Sequence, residues 1–199
     1  RYEQIGPFQG ARNIPLQRVY DQIVKVLAAR KIPVHWQSTL TELTAHTAII
    51  QTQEGPLTTD FQFLLACDGT RSTVRQHLGI QIQPQSYQSF INVRLKGDFR
   101  HHPNPAIMTW ILNPSTPGCL VMHNTIDHQN LQIPVLNDAW LDRLCQRPWV
   151  EHYCDDFFKG CNGTVEVVDF APWRVQTYCL DALQHEGVFF LGDSAHALT

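Results

Sequence analysis

Two apolar runs that each end in paired glycine and aspartate constrain this fold more than any other feature of the sequence. Phe61–Cys67 leads into Asp68-Gly69, and Gly187–Leu191 leads into Gly192-Asp193. Each run is nearly continuous in apolar residues, which is typical of a strand covered on both faces. After the first run, Ser72 can cap a short helix. Strand, turn and helix in this order predict an α/β sheet whose ligand lies beyond the carboxyl ends of its strands.

The residue types at these two strand ends suit a nucleotide. Glycine lets the backbone approach a ligand without a Cβ in the way. A carboxylate accepts hydrogen bonds from ribose or ribityl hydroxyls, and helix-start N–H groups favour phosphate. Asp-Gly is also a common turn dipeptide, so either pair alone is compatible with a purely structural role.

The rest of the chain divides by composition into α/β ends and a β-rich middle. Apolar residues at helical spacing predict a helix from Leu16 that stops before Pro33. Short β-rich runs follow, and from about residue 83 Pro-, Asn- and Gly-rich turns separate strands that suggest an antiparallel sheet. We therefore predict an α/β protein, α+β overall, with one domain at residues 1–84 and 163–199 interrupted by a second at 85–162. The predicted short elements are strands at 34–36, 40–43, 47–52, 57–59, 164–170 and 174–178, and helices at 137–145 and 149–158.

The segment Leu64–Arg75 resembles the DG motif of FAD-dependent class A monooxygenases, and Gly187–His196 resembles their GD motif. The middle segment is similar to the phenol and polyketide hydroxylase branch, through Trp110–Pro114 and Pro172-Trp173. Two motifs in the family's order are far more specific than either alone. The resemblance implies an incomplete Rossmann-like FAD-binding domain that holds an inserted antiparallel β-sheet substrate domain.

The resemblance also implies roles for individual residues. Asp193, next to Gly192, would bind the ribityl chain of FAD. Asp68, Gly69 and Arg75 map onto the DG motif, which is implicated in both FAD and NAD(P)H binding. The resemblance assigns no catalytic side chain and no metal ligand to this chain.

The helix after Pro15 matches one that contributes a polar contact near the FAD pyrophosphate, and either Gln17 or Arg18 would supply that contact. His196 matches a motif histidine that we interpret as structural.

The implied activity is hydroxylation of an aromatic or phenolic substrate with NAD(P)H and O₂. In that family the reduced flavin forms a C4a-hydroperoxide whose distal oxygen attacks the ring, so the protein needs no nucleophile of its own. Its residues position the ring and exclude water.

The sequence departs from the family at both ends. No G-x-G-x-x-G occurs, although the family begins with this pyrophosphate-binding turn. The chain also stops at Thr199, where the family continues with a loop against the flavin. We expect an internal piece of a larger monooxygenase or a truncated product, which binds FAD weakly or not at all by itself.

Two other readings of the same residues remain open. The chain can be a non-catalytic remnant or interaction module that keeps the fold without its chemistry. Less favoured is a GDS-type serine hydrolase with Ser194 as nucleophile, since those enzymes carry the motif near the N-terminus and only five residues follow Ser194 here.

Composition excludes several further functions. A net charge of −3 and a pI near 6.4 argue against nucleic-acid binding. No apolar run is long enough to span a membrane, and no signal peptide is evident, so a cytoplasmic protein with reduced cysteines is expected. The histidines at 101, 102, 123 and 128 match no zinc-binding spacing and are interpreted as solvated loop residues.

Overall fold

The computed structural model describes residues 14–100, 107–161 and 164–197. The helices are α1 Leu16–Ala29, α2 Thr73–His77, α3 Leu141–Leu144 and α4 Arg147–Phe157. The strands are β1 Thr39–Leu43, β2 Thr47–Thr52, β3 Gly55–Asp60, β4 Leu64–Ala66, β5 Gln85–Gly97, β6 Met108–Ile111, β7 Gly118–Met122, β8 Gln129–Val135, β9 Val165–Cys179, β10 Gln184–His185, β11 Val188–Phe190 and β12 His196–Ala197. Two compact units result, one from Arg1–Val26 with Gln88–Arg174 and the other from Leu27–Tyr87 with Val175–Thr199.

Helix α1 begins at the predicted residue and ends slightly earlier than predicted. Lys31 adopts a φ of 56°, its N–H donates to the carbonyl of Ala28, and the N–H of Ile32 donates to the carbonyl of Leu27. This pair of bonds is the Schellman arrangement, which satisfies carbonyls at a helix end. The turn at Lys31 and Ile32 therefore ends the helix, and Pro33 lies beyond that turn.

The predicted strand at 34–36 is wrong. β1 begins only at Thr39, which pairs with Gln51 of β2, and β2 ends one residue later at Thr52. Residues 34–36 thus extend past the end of the neighbouring strand and lie outside every strand of the described structure. The strands predicted at 40–43, 47–52 and 57–59 are confirmed as the antiparallel sheet β1-β2-β3.

The unit formed by Leu27–Tyr87 and Val175–Thr199 contains another sheet, with the strand order β10-β11-β4. Its strands β11 and β4 are parallel. Its buried residues form a small core: Ala66, Val74, Leu180, Val188, Phe190 and Ala195. The prediction that both apolar runs are covered on both faces is wrong for the described structure. Leu65 is 64% exposed and Phe189 37% exposed, because alternate side chains of these strands point away from that core.

In the other unit, β5, β8, β7 and β6 pair as antiparallel neighbours, as predicted for the middle of the chain. One face of this sheet packs against α3 and α4 in the larger core: Ile91, Val93, Leu95, Leu120, Met122, Leu131, Ile133, Val135, Leu141, Val150 and Cys154. Asn137 is the first residue of the helix predicted at 137–145, and it caps the observed helical segment, since its Oδ1 accepts from the N–H of Ala139 at 3.0 Å. The two strands predicted at 164–170 and 174–178 are a single strand, β9, which continues through Pro172.

All six cysteines are free, and they differ in their exposure to solvent. Cys67, Cys161 and Cys179 are exposed, whereas Cys119 and Cys154 are buried. Burial is the largest of the effects that raise the pKa of Cys154 to about 12. Burial also raises the pKa of Cys119. A raised pKa lowers the thiolate fraction at pH 8, and the thiolate is the nucleophile.

Iodoacetamide at pH 8 is therefore expected to alkylate the three exposed cysteines of the folded protein and to spare Cys119 and Cys154. Peptide mass spectrometry after timed labelling measures this, and denaturation before labelling should expose all six. Alkylation of Cys154 at the rate of Cys67 in the folded protein would contradict the packing described.

Candidate functional site

The structure brings the two acidic strand ends to one edge of the same sheet. β4 and β11 are parallel neighbours in which Phe190 pairs with Ala66. Asp68 follows Ala66 by two residues and Asp193 follows Phe190 by three, so both leave the sheet at its carboxyl edge. Both aspartates are exposed. This edge is where parallel sheets bind their ligands.

The glycines beside these aspartates have backbone conformations that favour glycine. Gly69 has a φ of +81° and Gly192 a φ of +56°. A Cβ built at either position would meet no atom within 4 Å. Each glycine therefore leaves open space directly over its backbone, which a ligand can approach closely.

Asp68 has a structural contact at one of its two carboxylate oxygens. Its Oδ2 accepts a hydrogen bond from the backbone N–H of Val74 at 3.0 Å, and the Oγ of Ser72 accepts from the N–H of Arg75 at 3.1 Å. Together they satisfy the first turn of α2, whose N–H groups have no partner within the helix. The other oxygen of Asp68 has no hydrogen-bond partner among the described residues.

The carboxylate of Asp193 is not used by the fold. Asp193 lies in a 3₁₀ turn over Gly192–Ser194, and its backbone carbonyl accepts a hydrogen bond from the hydroxyl of Tyr178. Within the described ranges, no hydrogen bond or ion pair engages its side chain. The turn is thus anchored through its backbone, and the fold does not depend on the carboxylate.

Arg75 is turned inward and links the two motifs. It is only 5% exposed, and its guanidinium donates to the carbonyl of Ser194 at 2.7 Å and to the carbonyl of Thr70. The guanidinium carbon also lies 5.4 Å from the ring centre of Tyr178, a cation–π distance. In the structure Arg75 positions the two turns. Its predicted contact with FAD or NAD(P)H stays a prediction.

Ser194 provides a third link between the two strands. Its side chain is fully buried, and its hydroxyl donates to the carbonyl of Ala66 at 2.5 Å and accepts from the N–H of Leu191 at 3.1 Å. A nucleophilic serine needs exposure and a base that accepts its proton. Ser194 has neither in the described structure, so the serine hydrolase reading does not fit.

Gln17 lies on the exposed helix α1, where its Nε2 donates to Oδ1 of Asp21 at 2.9 Å. Gln17 falls in the other compact unit. The predicted contact of Gln17 or Arg18 with the FAD pyrophosphate therefore stays a prediction.

Tyr178 is the site residue that sequence reasoning missed. It is buried at the end of β9, opposite Ala197 of β12, and it touches both motifs through Arg75 and Asp193. No local pattern distinguishes this tyrosine from other strand tyrosines, because its role depends on the pairing of β9 with β12.

The described residues show no arrangement for a metal ion. In that part of the chain no three His, Cys, Asp or Glu side chains are grouped closely enough to hold one. His123 and His128 meet edge to face at 5.5 Å, and burial, followed by the charge of His128, lowers the pKa of His123. His101 and His102 lie outside the described residues. The helices that are described all lack the length and apolar character needed to cross a bilayer.

Comparison with known proteins points to flavin enzymes. The family model described as FAD binding domain matches residues 12–199. Tetracenomycin B2 monooxygenase-dioxygenase from Streptomyces olivaceus is 28% identical over 142 residues, which is 68% of this chain and 25% of that protein. The chain thus spans about a quarter of the length of the curated relatives it matches.

Solved structures give the same fold at lower identity. Aklavinone-11 hydroxylase, in a ternary complex with FAD and aklavinone, matches with a TM-score of 0.75 at 19% identity, over 89% of this chain and 36% of that one. p-Nitrophenol 4-monooxygenase from Pseudomonas putida DLL-E4 matches with a TM-score of 0.74 at 20% identity, over 94% of this chain and 48% of that one. These matches show a shared mixed α/β fold.

Proposed function

Because the chain belongs to the family of FAD binding domains, we propose that it forms the flavin-binding and substrate-binding part of an FAD-dependent monooxygenase acting on an aromatic or phenolic compound. The resemblance to class A flavin monooxygenases, first drawn from two short motifs, is confirmed by this family membership. In the proposed enzyme NAD(P)H supplies electrons and O₂ supplies the inserted oxygen, and a cytoplasmic location is part of the same proposal.

The observation that carries the proposal is the shared edge of β4 and β11. Two exposed aspartates leave neighbouring parallel strands there, and the glycine beside each has open space over its backbone. We propose that the free carboxylate of Asp193 accepts hydrogen bonds from the ribityl hydroxyls. The same open space at this edge would be lined by Gly192, Gly69 and the free oxygen of Asp68.

When bound, FAD supplies the redox chemistry and the oxygen transfer. The residues of this chain bind and orient it. Arg75 and Ser194 hold the two turns in place through hydrogen bonds to backbone carbonyls. They would thereby position the Asp193 carboxylate without contacting FAD themselves. Such pre-organisation lowers the entropy that must be lost on binding.

The domain organisation belongs to this proposal. Residues 1–84 and 163–199 would form an incomplete Rossmann-like FAD-binding domain, and residues 85–162 would form the inserted substrate domain. The sheet β10-β11-β4 carries the motifs of the first, and the antiparallel strands β5 to β8 carry the second.

Absorbance spectroscopy and cofactor oxidation test the function. The full-length monooxygenase that would contain this chain should bind FAD when purified, and NADH or NADPH oxidation should rise when phenols are added, with a hydroxylated product found by mass spectrometry. Flavin binding without any hydroxylated product across a phenol panel would favour the non-catalytic module. Failure of that full-length protein to bind added FAD would contradict the assignment.

A separate measurement tests whether these 199 residues are sufficient. The chain expressed alone should retain little flavin, because it lacks a G-x-G-x-x-G turn for the pyrophosphate. Stoichiometric flavin in the purified chain would refute this part of the proposal.

A further inference from the structure

A cavity of about 500 Å³ lies at the end of the sheet β1-β2-β3 where β1 begins and β2 turns into β3. Its lining residues fall within 35–38 and 52–57, and all of them belong to the same compact unit. Neither glycine–aspartate turn lines it, so the cavity is separate from the proposed flavin edge. Its volume falls in the range of roughly 300–1,000 Å³ that is typical of small-molecule sites.

The two walls of this cavity are tied together by side-chain hydrogen bonds. Gln37 has a φ of 53°, which turns the chain just before strand pairing begins at Thr39. The Oγ of Ser38 donates to the carbonyl of Trp36 at 3.1 Å. From the opposite wall, Nε2 of Gln53 donates to Oε1 of Gln37. These bonds hold the segment before β1 beside the turn between β2 and β3, so the cavity is formed by the fold itself.

One wall of the cavity presents an aromatic side chain to solvent. Trp36 lines the cavity and is 57% exposed, although tryptophan is a highly buried residue on average. Pro56 and Leu57 add apolar surface from the other wall, and Leu57 is also exposed. The face of an indole ring carries negative electrostatic potential and attracts cations more strongly than the other aromatic side chains do.

The charge of the lining favours a cation as well. Glu54 lines the cavity, whereas no lysine or arginine does. The backbone N–H of Glu54 donates to Oγ1 of Thr52 at 3.2 Å, and in the part of the chain that the structure describes no hydrogen bond or ion pair engages its carboxylate. An anion would meet this negative charge without a lysine or arginine to offset it. A cation meets both the carboxylate and the indole.

We propose that this cavity binds a small organic cation that carries an alkylated ammonium group, which lies against the ring of Trp36 and near the carboxylate of Glu54. An alkylated ammonium is the chemistry that uses the whole lining, because its alkyl groups contact apolar surface while its charge is attracted by the ring and by the carboxylate. A neutral molecule of the same shape gains the apolar contacts alone. The site goes beyond the proposed flavin-dependent function and does not depend on it.

Two probes of nearly identical shape test the inference in the full-length protein that would contain this chain. Choline carries a trimethylammonium group, and 3,3-dimethylbutan-1-ol has a carbon atom in place of the charged nitrogen. A titration that follows the methyl proton signals of each probe by NMR measures both affinities. The unmodified protein should bind choline about 10-fold more tightly, since a cation–π contact and an exposed ion pair act together. This preference should shrink as sodium chloride is added.

Substitutions at the two walls should separate these contributions. Trp36→Leu should lower the affinity for choline about 5-fold, and Trp36→Phe, which keeps an aromatic face, should recover part of that loss. Glu54→Gln should lower it about 2- to 3-fold, remove most of its salt dependence, and leave the affinity for 3,3-dimethylbutan-1-ol unchanged.

Glu42→Gln is the matched control for the loss of a negative charge. Glu42 is an exposed residue of β1 in the same sheet, and it does not line the cavity. This variant should keep the full preference for choline. Thermal unfolding without probe checks that the variants fold, and both glutamine variants should have nearly the Tm of the unmodified protein because the replaced side chains are exposed.

Equal affinities of the unmodified protein for the two probes, or binding of neither, would overturn the inference. A preference that is undiminished in Glu54→Gln would do the same, and this variant decides the matter even where Trp36→Leu fails to fold. Loss of the preference in Glu42→Gln as well would show that choline responds to overall charge and not to this cavity, which also contradicts the site.

Discussion

Replacing Asp193 with alanine in the full-length protein is expected to weaken FAD binding by about 10- to 100-fold, since hydrogen bonds to a charged group contribute about 1.5–3 kcal/mol. The stability of the fold should scarcely change. The carboxylate is exposed and makes no hydrogen bond within the described ranges, and such surface substitutions usually alter the free energy of unfolding by less than about 0.5 kcal/mol. Titration of FAD followed by flavin fluorescence measures the affinity, and urea unfolding of the ligand-free protein measures the stability.

Asp181→Ala is the matched control for this prediction. Asp181 is an exposed aspartate of the same unit that belongs to neither motif. Its replacement removes the same charge and should leave FAD affinity unchanged within about twofold, since exposed charges interact weakly at physiological ionic strength. Equal affinities of Asp193→Ala and the unmodified protein would remove Asp193 from the proposed site.

The strand ends and turns of the candidate site could be predicted from the sequence because their signals are local. An apolar run followed by Asp-Gly or Gly-Asp reports a strand end and a turn that needs glycine, and both glycines do adopt positive φ. The sequence cannot give the parallel register of Phe190 with Ala66, which depends on long-range pairing. That register places the two motifs at the same edge of the sheet.

The sequence predicts least well which side chains of a strand are covered and which are exposed. The continuous apolar run predicted coverage of both strand faces, yet Leu65 and Phe189 are exposed within the described structure. An apolar residue is often buried, but its type does not show which part of the protein would bury it. Tyr178 escaped notice for a related reason, since its role depends on Arg75, which lies far away in the sequence.

Arg75→Met is expected to destabilise the unit that contains both motifs by about 3 kcal/mol, because it leaves the buried carbonyl of Ser194 and the part-buried carbonyl of Thr70 without their donor. Contact with the Tyr178 ring is also altered. For a chain of this size the expected fall in Tm is about 6–12 °C. Arg75→Lys should recover only part of the loss, since an ammonium group cannot reproduce the planar fork of a guanidinium. Thermal unfolding followed by circular dichroism measures both variants.

Arg71→Met is the control for loss of positive charge, because Arg71 is exposed and lies in the same turn region. It should leave Tm nearly unchanged. FAD affinity then distinguishes the two possible roles of Arg75. A positioning residue loses affinity and stability together, because the turn that holds Asp193 is released from Ser194. A direct ligand of the cofactor would lose affinity while Tm of the ligand-free protein stayed constant. Since Arg75 is only 5% exposed and its guanidinium donates to backbone carbonyls, the first outcome is expected, and the second would show that Arg75 turns outward when FAD binds.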